Sequence, residues 1–403
     1  MDYITTQLIQ TMMYNPTVTA SVVVSPVSIY NDLFLMLFGS AGDTQKELIT
    51  ALKLENADLQ GLAESFGDIL IATDVTRSTM VGSEEDILLK GHVAEGIFIQ
   101  KDYTLVDTYA DYLKALNIQT QPTDFVANNM QDAANAIRNW ITATKPKSDV
   151  SSEAFSTNQN TRMVFTSLFY FTVKWYKNLF MNQGTVNVPF NSLNAGAVDV
   201  PMMTTVFALN YYDDIKHACS VLLLPFQGLL DYEALFILPN QGVDAVQFVK
   251  SFTMNIVDDF YENAHKANIE CQIPKFSISY SITLNDQLRA LGIEKLFGAT
   301  DWSNMLKDVG IMDLGVQVLT TSEITLNEKG VNANDLNVEQ STDTSPLPQN
   351  TIKFIADRPF LLLPFICNFS LCAYVSRDVG TTFVPEFIST ETLKLTRAGH
   401  ECF

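Results

Sequence analysis

Residues 327–350 read Asn-Glu-Lys-Gly-Val-Asn-Ala-Asn-Asp-Leu-Asn-Val-Glu-Gln-Ser-Thr-Asp-Thr-Ser-Pro-Leu-Pro-Gln-Asn, and they lie between two apolar, strand-like runs. The segment holds five Asn, no aromatic residue and a net charge of −3. A loop of about 24 residues without secondary structure of its own is uncommon inside a compact domain, and is usually functional or disordered. The segment therefore predicts either a functional loop or a flexible surface insertion.

The rest of the 403-residue chain has the composition of a folded protein. Hydrophobic residues make up 47% of it and charged residues only 17%, with 26 Phe and 14 Tyr, which excludes disordered and collagen-like chains. The net charge of −20 argues against binding to nucleic acid, to a heparin-like polyanion or to an anionic membrane, since each needs clustered Lys and Arg. We expect a monomer kept apart from its copies by self-repulsion.

Motifs of catalysis and metal binding are missing from the sequence. It holds four His and no HExxH, GxSxG, phosphate-binding lysine loop or GxGxxG motif. The five cysteines have no CxxC pair and no zinc-type spacing with His, so we expect buried free thiols. We predict no enzyme activity, no catalytic residue, no metal and no cofactor. The cysteines are Cys219, Cys271, Cys367, Cys372 and Cys402.

Short apolar runs predict buried strands, and periodic stripes predict helices. Residues 162–171, 220–225, 234–239 and 360–366 are nearly continuous in apolar side chains, as in strands covered on both faces. Helices mixed with a few strands in the first half, and many strands in the second, predict an α+β fold on a large mixed sheet. The helix signals are Pro26 in a first turn after Ser25, a capping box from Thr44 to Glu47, the stripe Ala133, Ala136, Ile137, Trp140 and Ile141, and residues 286–296.

Several fragments, in their order and spacing, resemble the serpins. Each fragment alone is weak, but together they extend over residues 1 to about 379. They are Val24-Ser25-Pro26-Val27-Ser28-Ile29, Phe171-Thr172-Val173-Lys174-Trp175, Val200-Pro201-Met202-Met203, Leu224-Pro225-Phe226, Ile237-Leu238-Pro239, Ile273-Pro274-Lys275-Phe276, Leu291-Gly292-Ile293-Glu294-Lys295-Leu296-Phe297, Asn327-Glu328-Lys329-Gly330 and Ala356-Asp357-Arg358-Pro359-Phe360.

The resemblance implies a serpin domain over residues 1–379, with three β-sheets, eight or nine helices and an exposed reactive loop at 327–350. Residues 380–403 would form a C-terminal extension of unknown purpose. The implied activity is suicide inhibition: a serine protease cuts the loop and stays attached as an acyl-enzyme. The cut loop then inserts into the main sheet as a new strand, an example of strand addition that releases stored strain.

The resemblance also implies a position for the cut. Counting from Gly330 as the family does, the scissile carbonyl belongs to Thr344, and Ser345 lies on the leaving side. A small β-branched residue there favours an elastase-like or other small-pocket protease over a trypsin-like one, and we expect a target of elastase or chymotrypsin type. The stretch from Gly330 to Pro359 is about four residues longer than is common in serpins; if the excess precedes the bond, the cut moves toward Leu347.

Other residues take family roles by position. The hinge of the loop would comprise Glu328, Gly330, Val331, Asn332 and Ala333. At the top of the main sheet, called the breach, Glu328 would pair with Lys275 under a Trp175 cap. An ordinary surface ion pair is the alternative for these two charges. The region below, called the shutter, would hold the strands together through Ser25, Ser28, Ser167 and Thr320.

Two departures from the family pattern bear on the inhibitory mechanism. Ser167 and Thr320 stand where serpins carry Asn and His, so the reach of the imidazole is lost. The hinge is not Ala-rich: with period 2 from Val331 its inward positions include Asp335 and Glu339, and burying an unpaired carboxylate costs several kcal/mol. We therefore expect slow or incomplete insertion. A non-inhibitory serpin acting as a binding, carrier or storage module stays open as the alternative.

The compartment and the partner follow from the resemblance alone. The N-terminus shows no secretory signal, and no run of 18 apolar residues is long enough to span a membrane. We expect an extracellular protein, as in most of the family, with the cytoplasm as the alternative. The expected partner is a target serine protease.

Overall fold

A computed structural model gives the fold. It describes residues 6–7, 10–11, 21–73, 75–81, 84–126, 131–145, 159–181, 184–193, 195–227, 232–253, 255–333, 350–366, 369–370, 373–375, 396–397 and 400–401.

Eight α-helices have both of their ends within these described residues. The first helix carries Ser25 as its N-cap and Pro26 in its first turn, as the sequence predicts: the Ser25 side chain accepts a hydrogen bond from the Ser28 amide. The helices are α1 (Pro26–Gly39), α2 (Gly42–Ala51), α3 (Leu59–Thr73), α4 (Asp107–Ala115), α5 (Gln131–Thr144), α6 (Ala245–Ser251), α7 (Asn255–Asn263) and α8 (Asn285–Ala290).

Twenty-one strands accompany the helices in the described chain. Their bounds are β1 (Val22–Val24), β2 (Val75–Val81), β3 (Glu84–Gln100), β4 (Gln119–Thr123), β5 (Met163–Lys174), β6 (Thr185–Ser192), β7 (Gly196–Asp214), β8 (Cys219–Pro225), β9 (Tyr232–Pro239), β10 (His265–Pro274), β11 (Phe276–Thr283), β12 (Ala299–Thr300), β13 (Met312–Asp313), β14 (Gln317–Asn327), β15 (Gly330–Val331), β16 (Ile352–Ile355), β17 (Leu361–Ile366), β18 (Phe369–Ser370), β19 (Ala373–Val375), β20 (Thr396–Arg397) and β21 (His400–Glu401).

One sheet of seven strands has the order β11-β14-β15-β5-β3-β2, with β4 paired to β3. A sheet of ten strands has the order β1-β19-β17-β9-β8-β7-β10-β16, with β6 paired to β7 and β18 to β17. The long strand β7 pairs with β6 and β10 over its length and with β8 at its end, so it joins two sheet regions. With the two regions that β7 joins counted separately, the fold has three main sheets. The α+β class, the three sheets and the helix number expected from the sequence are confirmed.

The core lies between the two large sheets. Helix α1 packs against β3, β5 and β14 and is almost wholly buried, including Leu33, Phe34 and Leu37. On the other face of the seven-stranded sheet, α5 buries Ala133, Ile137, Trp140 and Ile141, as its stripe predicts. The seven-stranded sheet is thus covered on both faces, which explains its continuous apolar strands.

The predicted strands at 162–171, 220–225, 234–239 and 360–366 correspond to β5, β8, β9 and β17. Two helix predictions are wrong. Helix α2 begins at Gly42 without a side-chain cap, because the Thr44 hydroxyl accepts the Asp301 amide instead of capping the helix. The helix predicted at 286–296 ends at Ala290, since Gly292 follows with a φ of 86°.

No helix among the described residues is long and apolar enough to cross a membrane. Cys219 and Cys271 are buried free thiols, as predicted, whereas Cys367, Cys372 and Cys402 lie outside the described residues. Within the expected extension 380–403, the structure describes one strand pair, in which β20 lies antiparallel to β21.

Candidate functional site

The candidate site is the seam where β5 and β14 separate. These two parallel strands pair directly from Gln317 opposite Val164 to Ser322 opposite Phe169. Beyond that point the short strand β15 lies between them, with Val331 opposite both Leu326 of β14 and Val173 of β5. The seven-stranded sheet therefore already accommodates the first residues of an additional central strand.

The start of the segment 327–350 is buried. Gly330, Val331 and Ala333 all lie in the interior, so the expectation of an exposed loop over the whole of 327–350 is wrong for these residues. Val331 and Ala333 are the inward positions that period 2 predicts. The segment 334–349, with Thr344 and Ser345 at the predicted cut, lies outside the described residues.

Asn332 directly follows β15 and bridges both flanking strands. It adopts a left-handed φ of 50°, which Asn tolerates better than most residues. Its backbone N–H donates to the Thr325 carbonyl at 2.6 Å, and its Oδ1 accepts the Thr325 N–H at 2.6 Å. Its Nδ2 donates to the carbonyls of Phe171 at 2.8 Å and Glu323 at 3.3 Å. The side-chain amide thus makes the bonds that the next peptide of an inserted strand would make.

Gly330 allows the chain to enter the seam. Its φ is 155°, and a Cβ at this position would lie 1.9 Å from the Val173 carbonyl oxygen and 2.9 Å from the Lys174 Cα. No side chain fits beside backbone at such distances, so only glycine permits this close approach.

Lys275 and Glu328 form an ion pair, which both the breach role and an ordinary surface pair predict. Lys275 Nζ lies 2.9 Å and 2.8 Å from the two carboxylate oxygens of Glu328. The Thr185 hydroxyl of β6 also donates to Glu328. Although partial burial acts to raise the Glu328 pKa, the hydrogen bonds from Lys275 and Thr185 outweigh it and lower that pKa below its usual value.

Trp175 closes the top of the seam from the β5 side. It is fully buried and stacks on Phe226 at a centroid distance of 5.1 Å. Its indole N–H donates to the Asn327 carbonyl at 2.8 Å, and its backbone N–H to the Lys329 carbonyl at 3.1 Å. Trp175 therefore bonds to the backbone on both sides of Glu328.

The four predicted shutter residues are buried and form two hydroxyl pairs. Ser28 Oγ donates to Ser25 Oγ at 2.9 Å at the start of α1. Ser167 Oγ of β5 donates to Thr320 Oγ1 of β14 at 3.3 Å. The second pair crosses the seam itself, below the entry point of β15.

Two buried acids beside the shutter are absent from the sequence prediction. Asp32 of α1 and Glu95 of β3 are only 1% and 6% exposed. The signals available were an Asp inside an apolar helix and a Glu in a buried strand. Neither signal shows that the two side chains meet, because they are 63 positions apart in the sequence.

One further cluster has donor atoms suited to a metal. Asp214, His217 and Asp259 place one ligand atom each within 4.8 Å of the others. His217 Nδ1 lies 2.6 Å from Asp214 Oδ2, and Lys216 Nζ lies 2.8 Å from Asp259 Oδ2. Both carboxylates already have a partner, so the cluster is a hydrogen-bonded network between the β7–β8 turn and α7.

The family model described as "Serpin (serine protease inhibitor)" matches residues 4–365. The chain belongs to the serpin family. A "Serine protease inhibitor" of Cyanea capillata is 26% identical to this serpin over 325 residues, which cover 79% of this chain and 82% of the relative. A "Leukocyte elastase inhibitor" of Equus caballus is 26% identical over 359 residues, covering 85% and 88%.

Human thyroxine-binding globulin, solved in complex with thyroxine, has the same fold. Its structure matches this serpin with a TM-score of 0.75 at 20% sequence identity, over 95% of this chain and 96% of the other. At that identity the likeness concerns the fold only.

Replacing Gly330 by alanine should expel β15 from the seam of this serpin. The added Cβ collides with the Val173 carbonyl, and the lost ladder bonds are each worth about 1 kcal/mol. We expect a lower thermal midpoint and faster hydrogen exchange at residues 330–333. Gly310→Ala is the control, since its Cβ meets nothing within 4 Å. Equal protection in Gly330→Ala and wild type would contradict the seam geometry.

Glu328→Gln should destabilise the protein only slightly, by about 0–1 kcal/mol at pH 7, because the pair is partly exposed. A lowered carboxyl pKa stabilises the native state above about pH 4 and loses that effect as the pH falls through the native pKa. The difference between variant and wild type should therefore vanish on acidification. Urea titrations at several pH values measure it, with exposed Glu262→Gln as the control; a difference independent of pH would contradict the ion pair.

Proposed function

We propose that this serpin is a suicide inhibitor of a serine protease of elastase or chymotrypsin type. The protease cuts the loop at about Thr344–Ser345 and is trapped as an acyl-enzyme when the loop inserts between β5 and β14. The observation that carries the proposal is β15, because the sheet already holds Gly330 and Val331 in the place that the inserted strand would fill.

Insertion supplies the driving force in this mechanism. About 14 residues in strand geometry would extend roughly 45 Å, which carries an attached enzyme from one end of the sheet to the other. Each new ladder hydrogen bond adds ~1 kcal/mol net. The seam would open downward from β15 through the six pairs, beginning at Ser322–Phe169 and ending at Gln317–Val164, so these pairs oppose insertion until the loop is cut.

The residue at the cut suggests the kind of protease. Thr344 is small and would fit a shallow specificity pocket, and the elastase inhibitor among the relatives is consistent with such a target. If the extra loop residues precede the bond, Leu347 takes its place and a chymotrypsin-like pocket fits better.

The second candidate is a non-inhibitory binding or carrier protein. The left-handed Asn332 favours it, because its three side-chain hydrogen bonds to Thr325, Phe171 and Glu323 must break before the strand can grow past this residue. The carboxylates of Asp335 and Glu339 further along the loop add to the barrier if they enter the sheet.

The remaining expectations follow from the same proposal. The protein acts as an inhibitor and not as an enzyme, and works as a monomer with a serine protease as its partner. We place it in the extracellular space, with the cytoplasm as the alternative compartment. The net charge of −20 makes a heparin-like polyanion an unfavourable partner.

Incubation with a panel of elastase, chymotrypsin and trypsin tests the function. We expect an SDS-stable adduct with elastase or chymotrypsin, and mass spectrometry of the released peptide should place the cut near residue 344. Cleavage without adduct formation would favour the carrier protein, and would be accompanied by an unchanged thermal midpoint of the cut form.

Ala333→Glu should convert the inhibitor into a substrate. Ala333 is fully buried beside the seam, and burying an unpaired carboxylate costs several kcal/mol. Ile352→Glu, at a partly exposed position on the other side of the loop, introduces the same charge and should keep the adduct. Undiminished adduct formation by Ala333→Glu would overturn insertion at this seam.

Asn332→Ala should raise the efficiency of inhibition several-fold. Alanine disfavours the left-handed conformation and has no amide to bridge the strands, so the loop can continue as a strand. The measurement is the number of inhibitor molecules consumed per protease trapped. Asn350→Ala is the control, since Asn350 has a similar φ of 60° on the distal side of the loop. Equal stoichiometry in wild type and Asn332→Ala would contradict the inference that Asn332 blocks further insertion.

A further inference from the structure

A row of polar side chains crosses the seven-stranded sheet at the height of the shutter. Glu95 of β3 lies directly opposite Ser167 of β5, and Ser167 lies directly opposite Thr320 of β14. Directly paired residues project from the same face of a sheet. This row therefore faces α1, and it includes the hydroxyl pair that bridges the seam.

Asp32 of α1 and Glu95 form a buried acid pair at this row. Neither oxygen of Asp32 nor Oε2 of Glu95 accepts a hydrogen bond in the structure, while Glu95 Oε1 accepts the Asn31 amide at 2.9 Å. Two neighbouring buried carboxylates that share a single hydrogen-bond donor cannot both be ionised. The structure therefore corresponds to a pair that holds at least one proton.

No cation acts on either carboxyl within the described residues. Burial is the largest cause that raises the pKa of Asp32, to about 8, and that of Glu95, which the neighbouring Asp32 charge raises further. Of the elements packed against α1, β3 contributes Glu95, whereas β5 and β14 contribute the neutral hydroxyls of Ser167 and Thr320. Glu323 of β14 is an odd number of residues from Thr320, so it lies on the opposite face of the sheet, where it pairs with Lys145.

Ser167 connects the acid pair to the seam. It is close enough to Asp32 for its hydroxyl to stabilise an ionised carboxylate, but in the structure it donates to Thr320. A serine hydroxyl has one proton to donate. A charged acceptor makes the stronger bond, so ionisation of Asp32 draws that proton away from Thr320 and removes a link between β5 and β14.

We propose that the Asp32–Glu95 pair is a proton-controlled lock on the β5–β14 seam, closed while the pair is protonated and released when Asp32 ionises. The lock rests on the proposed function only in that strand insertion is the event it controls. Since the folded, closed state binds more protons than the unfolded or opened state, raising the pH between about 4 and 8 destabilises it.

The test follows uptake of a fluorescent synthetic peptide with the sequence of residues 331–344 into the intact protein, between pH 6 and pH 9. One released proton changes the rate by at most about tenfold per pH unit, and we expect wild-type uptake to rise at least several-fold across this range. The exposed control Asp111→Asn should keep this dependence.

Two isosteric variants should change uptake in opposite directions. Asp32→Asn cannot ionise, so its uptake should stay at the low-pH wild-type rate at every pH. In Glu95→Gln the amide donates to Asp32 and removes the competing acid, so Asp32 ionises at lower pH and uptake at pH 7 should match that of wild type near pH 9. Thermal midpoints across the same range check that the variants fold: the wild-type midpoint should fall with pH relative to that of Asp32→Asn.

Uptake that is independent of pH in wild type, absent at every pH, or identical in the two variants overturns the lock. The assay uses no protease, so failure to trap any protease would overturn the inhibitor proposal and leave this measurement valid.

Discussion

Six residue pairs between β5 and β14, from Gln317–Val164 to Ser322–Phe169, hold the centre of the seven-stranded sheet together. Both strands are buried on both faces, so separating them without a replacement strand would leave buried backbone groups unpaired. In the proposed mechanism, the loop of this serpin would be the replacement. The central constraint is therefore an exchange: each pair lost at the seam must be matched by pairs made to an entering strand.

The structure has this exchange already begun and then stopped. Gly330 admits the chain beside the Val173 carbonyl, and Val331 pairs with both neighbours. Asn332 then turns into the left-handed region and uses its amide to satisfy the strands that would accept the next residue. Such an arrangement is consistent with a metastable native state, because the bonds of Asn332 prevent the chain from forming a longer strand with more hydrogen bonds to β5 and β14.

Much of the fold and part of the site were predictable from local patterns. The apolar runs placed β5, β8, β9 and β17, and the resemblance brought Lys275, Glu328 and Trp175 to one place. The predictions that were wrong depend on tertiary contacts: the Thr44 hydroxyl accepts a hydrogen bond from the Asp301 amide and does not cap the helix. Asp32 and Glu95 were missed because a helix and a distant strand bring them together only in the folded core.

The sequence by itself determined the element types, the family and the composition of the hinge, since periodicity, turn residues and motif spacing are local properties of the chain. Only the tertiary structure decided how far the hinge enters the sheet and where unpaired acids are buried. Both outcomes depend on hydrogen-bond partners and desolvation, which come from residues far apart in the sequence and exist only after the strands and helices have packed.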